Sequence, residues 1–90
     1  MNSNKIYVRV SAEFDKDGFV HPRSITWSDG QVYHIDRVLS IKHMHASKAG
    51  GDGDCFTILV GGQTRQLFYE RFRELEGNHV GRWFVERKAG

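Results

Sequence analysis

Residues 25–45, ITWSDGQVYHIDRVLSIKHMH, decide the fold class. Ser28-Asp29-Gly30 separates two segments rich in β-branched and aromatic residues, and a three-residue loop ending in glycine is typical of a hairpin with a G1 bulge. The strand after this turn is predicted to be long, from Val32 to about His45. Its apolar residues change face, with Tyr33 on one side and Val38 on the other. This pattern indicates a strand that bends between two sheets, as in a small barrel.

Further strands are predicted on both sides of this segment, each bounded by turn residues. Pro22 lacks an N–H group, so the strand that contains it is expected to be an edge strand or to carry a bulge there. The other predicted strands run from Ile6 to Phe14, from Phe19 to Trp27, from Cys55 to Val60, from Gln66 to Glu70 and from Arg82 to Glu86.

The segment from Thr64 to Gly77 is ambiguous. Phe68, Phe72 and Leu75 follow one another at i, i+4 and i+7, which is typical of a helix. The preceding Gly61-Gly62 favours a hairpin with the strand before it. The prediction is therefore a strand that reaches residue 69 or 70, with one short helical turn near residues 71–76 as the alternative for its end.

The chain has 90 residues, of which 39% are apolar and 27% charged, a composition typical of a globular domain. A chain of this length predicts a single domain over residues 1–90, with an ordered core at about 5–88. The fold expected is all-β: a small SH3-like or OB-like barrel of five to six antiparallel strands. Closure into a barrel removes exposed strand edges.

Three stretches resemble a known group of proteins: residues 25–39, residues 81–87 (GRWFVER), and Gly61-Gly62-Gln63 leading into residues 67–70 (LFYE). They are similar to short uncharacterised proteins of Firmicutes-type bacteria that share a domain of unknown function. The resemblance covers roughly residues 6 to 88. It implies a compact β-rich fold and carries no activity and no functional residues.

Cysteine use and hydropathy limit the setting in which the protein works. Cys55 is the single cysteine, which excludes an internal disulfide and a four-cysteine zinc framework. A small domain without disulfides fits a reducing compartment. The polar N-terminus predicts no secretory signal, and the longest apolar run, Ile58-Leu59-Val60, is far too short to span a membrane. We therefore expect a cytoplasmic protein without a membrane partner.

His43-Met44-His45 is the most suggestive metal motif. Residues i and i+2 of a strand point to the same face, so two histidines can share a metal if further ligands arrive. Antiparallel pairing across the glycine-rich loop would bring Cys55 near His45. Zinc sites usually pair their ligands on both sides, and only one side is paired here. The prediction is no metal and no cofactor, with His43, His45 and Cys55 as the weak alternative.

The C-terminal third interleaves arginines with aromatic residues. In small β-barrels, such surfaces stack bases on aromatic rings and follow phosphates with arginine. Four glutamates lie in the same stretch, so residues 65–90 carry six basic against four acidic residues, a net charge of +2. This balance makes nucleic acid the alternative partner rather than the first choice. A nucleophilic set of Cys55 with His43 or His45 and Asp54 is conceivable, but nothing in the sequence indicates an activated thiolate, so the protein is predicted not to be an enzyme.

Trp27, Tyr33 and Trp83 flank strand ends, where they form either a binding groove or part of the core. Tryptophan, tyrosine and arginine concentrate the energy of protein interfaces. The prediction is a non-enzymatic binding or accessory module for a protein partner. Its candidate binding residues are Trp27, Tyr33, Arg65, Tyr69, Arg71, Arg82 and Trp83. A homodimer through an open strand edge is left open.

Overall fold

The computed structural model of the chain describes residues 4–45 and 52–87. Its regular structure consists of seven strands: β1 Lys5–Phe14, β2 Val20–Thr26, β3 Val32–His34, β4 Arg37–His45, β5 Asp52–Val60, β6 Gln63–Glu76 and β7 His79–Glu86. The strands form a curled, antiparallel half-barrel. The predicted all-β, barrel-like fold class is therefore confirmed.

The order of the strands in the sheet is β3-β2-β1-β7-β6-β5-β4. Its two terminal strands, β3 and β4, follow one another in the chain and are separated only by Ile35 and Asp36. The Ile35 amide donates to the Arg23 carbonyl on the β2 side, and the Asp36 amide donates to the Leu59 carbonyl on the β5 side. The sheet therefore curls until its two ends meet at this corner.

The corner explains the difference in strand number. Five to six strands were predicted, with one long strand from Val32 to about His45, and the structure divides that strand into β3 and β4. β1 pairs with a different strand along each half: residues 5–8 pair with β7 and residues 9–14 pair with β2. The register of β1 and β2 shifts beside Pro22, where a bulge was expected.

The hairpin between β2 and β3 forms where the sequence predicts it. The Trp27 amide donates to the Gln31 carbonyl, the Gly30 amide donates to the Trp27 carbonyl, and Gly30 has a φ of 87°. That left-handed conformation is the one that a G1 bulge requires of glycine.

The alternative of a helical turn near residues 71–76 is wrong, because β6 continues as a strand to Glu76. Its last part pairs with β7 through Arg71 opposite Gly81 and Glu76 opposite His79, with a register shift between the two pairs. Gly77 closes this hairpin at a φ of 61°. Pairing with β7 at both ends of this segment thus outweighs the helical spacing of the apolar residues.

The core lies on both sides of β5. Ile25, Phe56, Ile58 and Leu67 form the larger cluster on the inner, concave face of the half-barrel. Alternate residues point to the outer face, where Cys55, Phe68 and Phe84 form a smaller cluster. β5, β6 and β7 therefore contribute buried or partly buried apolar side chains to both faces of the sheet.

Candidate functional site

Two ends of the inner face carry most of the candidate residues. We call the end formed by the β2–β3 and β5–β6 hairpins the mouth. We call the opposite end, where His43, Asp54 and Arg71 meet, the ion-pair end. The Phe56–Leu67 pair of β5 and β6 lies between them.

The mouth is an open cavity that brings together Trp27, Tyr33 and Arg65, three of the predicted binding residues. The β2–β3 hairpin supplies the two aromatic rings, and the start of β6 supplies the guanidinium. Tyr33 is 41% exposed and Trp27 is half-buried. Apolar side chains from three strands complete the inner lining: Ile25, Ile58, Val60 and Val85.

The polar groups of the mouth are only partly used. Arg65 donates from Nη2 to Oε1 of its neighbour Gln63, and Tyr33 donates from its hydroxyl to Gln31. Neither Arg65 nor Arg87, which also lines the cavity, forms an ion pair with a carboxylate of the described residues. The mouth thus offers apolar surface beside guanidinium groups that can still bind an anion.

At the ion-pair end, by comparison, both carboxylate oxygens of Asp54 already have partners. Register places His43 opposite Asp54 across β4 and β5. His43 Nδ1 lies 2.6 Å from one Asp54 carboxylate oxygen, and Arg71 Nη1 donates to the other oxygen at 2.6 Å. The Asp54 side chain is only 11% exposed. The hydrogen bond to Asp54 raises the pKa of Arg71 above its usual value.

Tyr69 and Trp83 lie beside the ion-pair end and face inward. Their rings are 4.8 Å apart, and the Trp83 ring also packs 5.3 Å from Phe56. Burial raises the pKa of Tyr69. Gly81 makes room for this ring, because a Cβ there would meet the Tyr69 hydroxyl at 2.6 Å. Trp83 therefore packs against the core, whereas Trp27 lines the mouth.

Arg82, the remaining candidate, lies on the outer face. Its Nε donates to Glu70 at 3.2 Å, and its guanidinium carbon lies 3.8 Å from the centre of the Tyr7 ring. Glu70 also accepts from Lys5 and from the Tyr7 hydroxyl. Burial alone would raise the pKa of Glu70, but the hydrogen bonds from Lys5 and Arg82 outweigh burial and lower it.

The register of β4 and β5 does not bring His43, His45 and Cys55 together as a metal site. Cys55 pairs with Lys42 and belongs to the outer-face cluster with Phe68 and Phe84, whereas His43 faces Asp54 on the inner side. His45 pairs with Asp52, which lies three residues before Cys55 on β5. Among the described residues, no three histidine, cysteine, aspartate or glutamate side chains lie close enough to hold a metal ion.

The same arrangement separates the thiol from a general base. Burial raises the pKa of the Cys55 thiol, and His43 lies on the opposite face of the sheet. A nucleophilic cysteine needs a lowered pKa and a base within hydrogen-bond distance. The described geometry provides Cys55 with neither.

The sequence reasoning missed Asp54 and Glu70, the two carboxylates on which the ion pairs converge. The predicted strand begins at Cys55 and leaves Asp54 outside it, whereas β5 begins at Asp52. Phe68, Glu70 and Phe72 occupy alternate positions of β6 and therefore share the outer face. A single charged residue between two aromatic residues on one face was the sequence signal for Glu70. A buried charge in that position requires partners.

Comparisons with known proteins add no family to this geometry. No family model, curated protein or solved structure matches the chain. The resemblance to short bacterial proteins stays a prediction. In the described part of the chain, no helix is long and apolar enough to cross a membrane.

Proposed function

We propose that the protein is a small, non-enzymatic binding module that recognises a segment of a protein partner in the cytoplasm. The observation that carries this proposal is the convergence of Trp27, Tyr33 and Arg65 on one open cavity. Exposed aromatic rings and arginine supply most of the energy at protein interfaces.

The chemistry of the mouth defines the segment that fits it. Ile25, Ile58 and Val85 give the cavity an apolar surface that suits an aliphatic or aromatic side chain. Arg65 keeps donors that suit a carboxylate in bidentate geometry. We therefore propose a peptide segment that carries an apolar anchor beside an acidic residue.

The partners of the other arginines support a protein ligand over a nucleic acid. Arg71 is bound to Asp54 and Arg82 to Glu70, so two arginines of the C-terminal third already have carboxylate partners. A phosphate track needs a row of available cations. Single-stranded nucleic acid remains the second candidate, because Arg65 and Arg87 lie beside Trp27 and Tyr33 at the mouth.

A peptide selection tests the proposal. A library of random peptides displayed on phage is selected against the wild-type protein, and enriched peptides are titrated into ¹⁵N-labelled protein. We expect amide shifts at the mouth, and we expect Tyr33→Ala and Arg65→Ala each to weaken binding about tenfold, the order of a modest interface residue. Phe19→Ala is the matched control, because Phe19 is exposed and lies outside the cavity.

The second titration uses a mixed-sequence single-stranded oligonucleotide at low and moderate salt. Peptide binding that depends on Tyr33 while the oligonucleotide leaves the mouth unshifted supports the proposal. Shifts at the mouth caused by the oligonucleotide and abolished by salt overturn it in favour of nucleic acid. Failure to enrich any peptide that shifts the mouth also overturns it.

A further inference from the structure

β4 leaves one edge of the half-barrel open. It is the terminal strand of the sheet, paired with β5 on one side and with no described strand on the other. The register shifts between Val38 and Ser40, which blunts the first part of this edge. From Ser40 to His45 the pairing with β5 is continuous. This part of β4 therefore presents a regular row of backbone groups to its open side.

Two exposed side chains along this open edge, Ile41 and Met44, are apolar. Ile41 points to the inner face, opposite the buried Phe56, and is itself 52% exposed. Met44 is 39% exposed. An added strand would place every second side chain on the inner face, with one beside Ile41 on the side where no described strand neighbours β4.

The charge of β4 identifies what it can accept. The strand contains Arg37 and Lys42 and has no aspartate or glutamate, and its His43 is already bound to Asp54. Lys42 lies opposite the uncharged Cys55, and it forms no ion pair with a described carboxylate. Opposite charges across neighbouring strands stabilise their pairing, and like charges destabilise it. The edge thus matches an incoming strand that brings carboxylates.

A second copy of this chain fits the same edge poorly. Antiparallel pairing of β4 with β4 would bring the arginine, lysine and histidine side chains of two identical strands together. On the side away from β1, β2 pairs within the described residues with β3 alone, over residues 24–26. In residues 21–23 of that side, Pro22 lacks a backbone donor and the Arg23 carbonyl already accepts from the Ile35 amide. The side chains of His21 and Arg23 are bound to Asp15 and Glu13, so this part of β2 offers little to an added strand.

We infer that the open edge of β4 binds an extended acidic segment of a protein partner by strand addition, with apolar side chains beside Ile41 and carboxylates beside Lys42. Backbone hydrogen bonds supply affinity in this mode, and the alternate side chains supply specificity. The surface is separate from the mouth, so this inference goes beyond the proposed function and is tested without altering the mouth.

The probe is an acetylated, amidated peptide of about eight residues, the length of one strand, that alternates glutamate and valine. Amides of β4 that point away from β5 are expected to gain protection from hydrogen exchange, while those that point toward β5 are already protected. Protection at every second residue of β4 is the signature of an added strand.

Charge and backbone variants sharpen the test. Lys42→Glu is expected to weaken binding about fivefold, because an exposed attraction becomes a repulsion. Lys16→Glu makes the same charge change on the β1–β2 turn, where the lysine is 90% exposed, and should leave binding unchanged. In the peptide, N-methylation of one alternate set of residues should abolish binding and methylation of the other set should preserve it, since one peptide edge pairs with β4.

Each other outcome contradicts the inference. A peptide of alternating lysine and valine that binds equally well removes the charge argument. Shifts at the mouth that Tyr33→Ala abolishes, with β4 unaffected, overturn strand addition and leave the proposed function standing. Protection of β4 that depends on protein concentration in the absence of peptide identifies a second copy as the occupant. The same protection with a single-stranded oligonucleotide identifies a nucleic acid.

Discussion

The mouth and the ion-pair end lie on the same inner face, and they differ in how fully their charged groups are already bound. At the ion-pair end, Asp54 is nearly buried and holds both His43 and Arg71 at 2.6 Å. At the mouth, the one side chain of the described residues that binds Arg65 is the neutral Gln63. The charged groups of the ion-pair end are bound to one another, whereas Arg65 at the mouth retains donors for a ligand.

Residue type alone therefore does not define a site. Arg71 and Arg65 lie six residues apart on the same strand and the same face of β6. The first joins the strands by binding a carboxylate on β5, and the second projects into an open cavity. Paired charges inside the sheet support structure, whereas an unpaired guanidinium beside exposed aromatic rings supports recognition.

The largest effect is expected where the two ends share one core. Leu67→Ala removes a fully buried side chain beside Phe56, so it should lower the free energy of unfolding by about 2–5 kcal/mol. Urea denaturation followed by tryptophan fluorescence measures the loss. Val80→Ala is the control, because Val80 is 47% exposed and should change stability by less than about 1 kcal/mol. Equal effects of the two substitutions would contradict the placement of the core.

The ion-pair end is expected to respond less strongly. Asp54→Asn removes the charge that holds Arg71 and His43, so it should lower the free energy of unfolding by about 1–2 kcal/mol, less than a fully buried pair because Arg71 is 43% exposed. Asp17→Asn is the control, since the Asp17 carboxylate is 62% exposed. Chemical denaturation at neutral pH compares both variants with the wild type. A stabilised Asp54→Asn protein would show that the desolvation cost of the buried carboxylate exceeds the stabilisation by Arg71 and His43.

The outer face supplies a charge pair with a defined pH dependence. The pKa of Glu70 is lowered in the folded state, so the carboxylate stabilises the fold at pH values above its unfolded pKa, near 4.5. That contribution is lost as the pH falls through the lower, folded pKa. Glu70→Gln should therefore destabilise the protein at pH 7 by about 1 kcal/mol, since Arg82 is half-exposed, and should match the wild type in strong acid.

Denaturation midpoints of both proteins between pH 7 and pH 2 measure this convergence. Glu74→Gln is the matched control, because Glu74 is exposed and forms no ion pair with a described residue. It should follow the wild type at every pH. If the destabilisation of Glu70→Gln persists unchanged in strong acid, the lost interaction is one of shape or neutral hydrogen bonding and not of charge.

Much of the fold was predictable because local rules and pairing agreed along most of the chain. Ser28-Asp29-Gly30 specified the β2–β3 hairpin, and the change of face after Tyr33 indicated the bend that became the corner between β3 and β4. The end of β6 was not predictable in this way. Its apolar spacing indicated a helix, and only pairing with β7, a contact distant from the local pattern, decides for a strand.

The candidate site was harder to predict because it depends on which face each residue takes. Tyr33 and Arg65 come from strands far apart in the chain, and the sequence contains no signal that they share a cavity. The register of β4 and β5 decides that His43 meets Asp54 and not Cys55. A shift of one residue would exchange the two faces, so periodicity identifies the residues without identifying their partners.

The smallest effect on stability is expected at the mouth. Arg65→Ala removes a guanidinium whose described hydrogen bond goes to the neighbouring Gln63, and Tyr33→Ala shortens a side chain that is 41% exposed on an edge strand. Each should change the free energy of unfolding by less than about 1 kcal/mol, measured by the same urea titration. The Tyr33 and Arg65 side chains would then contribute little to the stability of the fold, so their interactions remain available to a ligand. Loss of more than about 2 kcal/mol in either variant would assign the mouth to structure and remove the difference between the two ends.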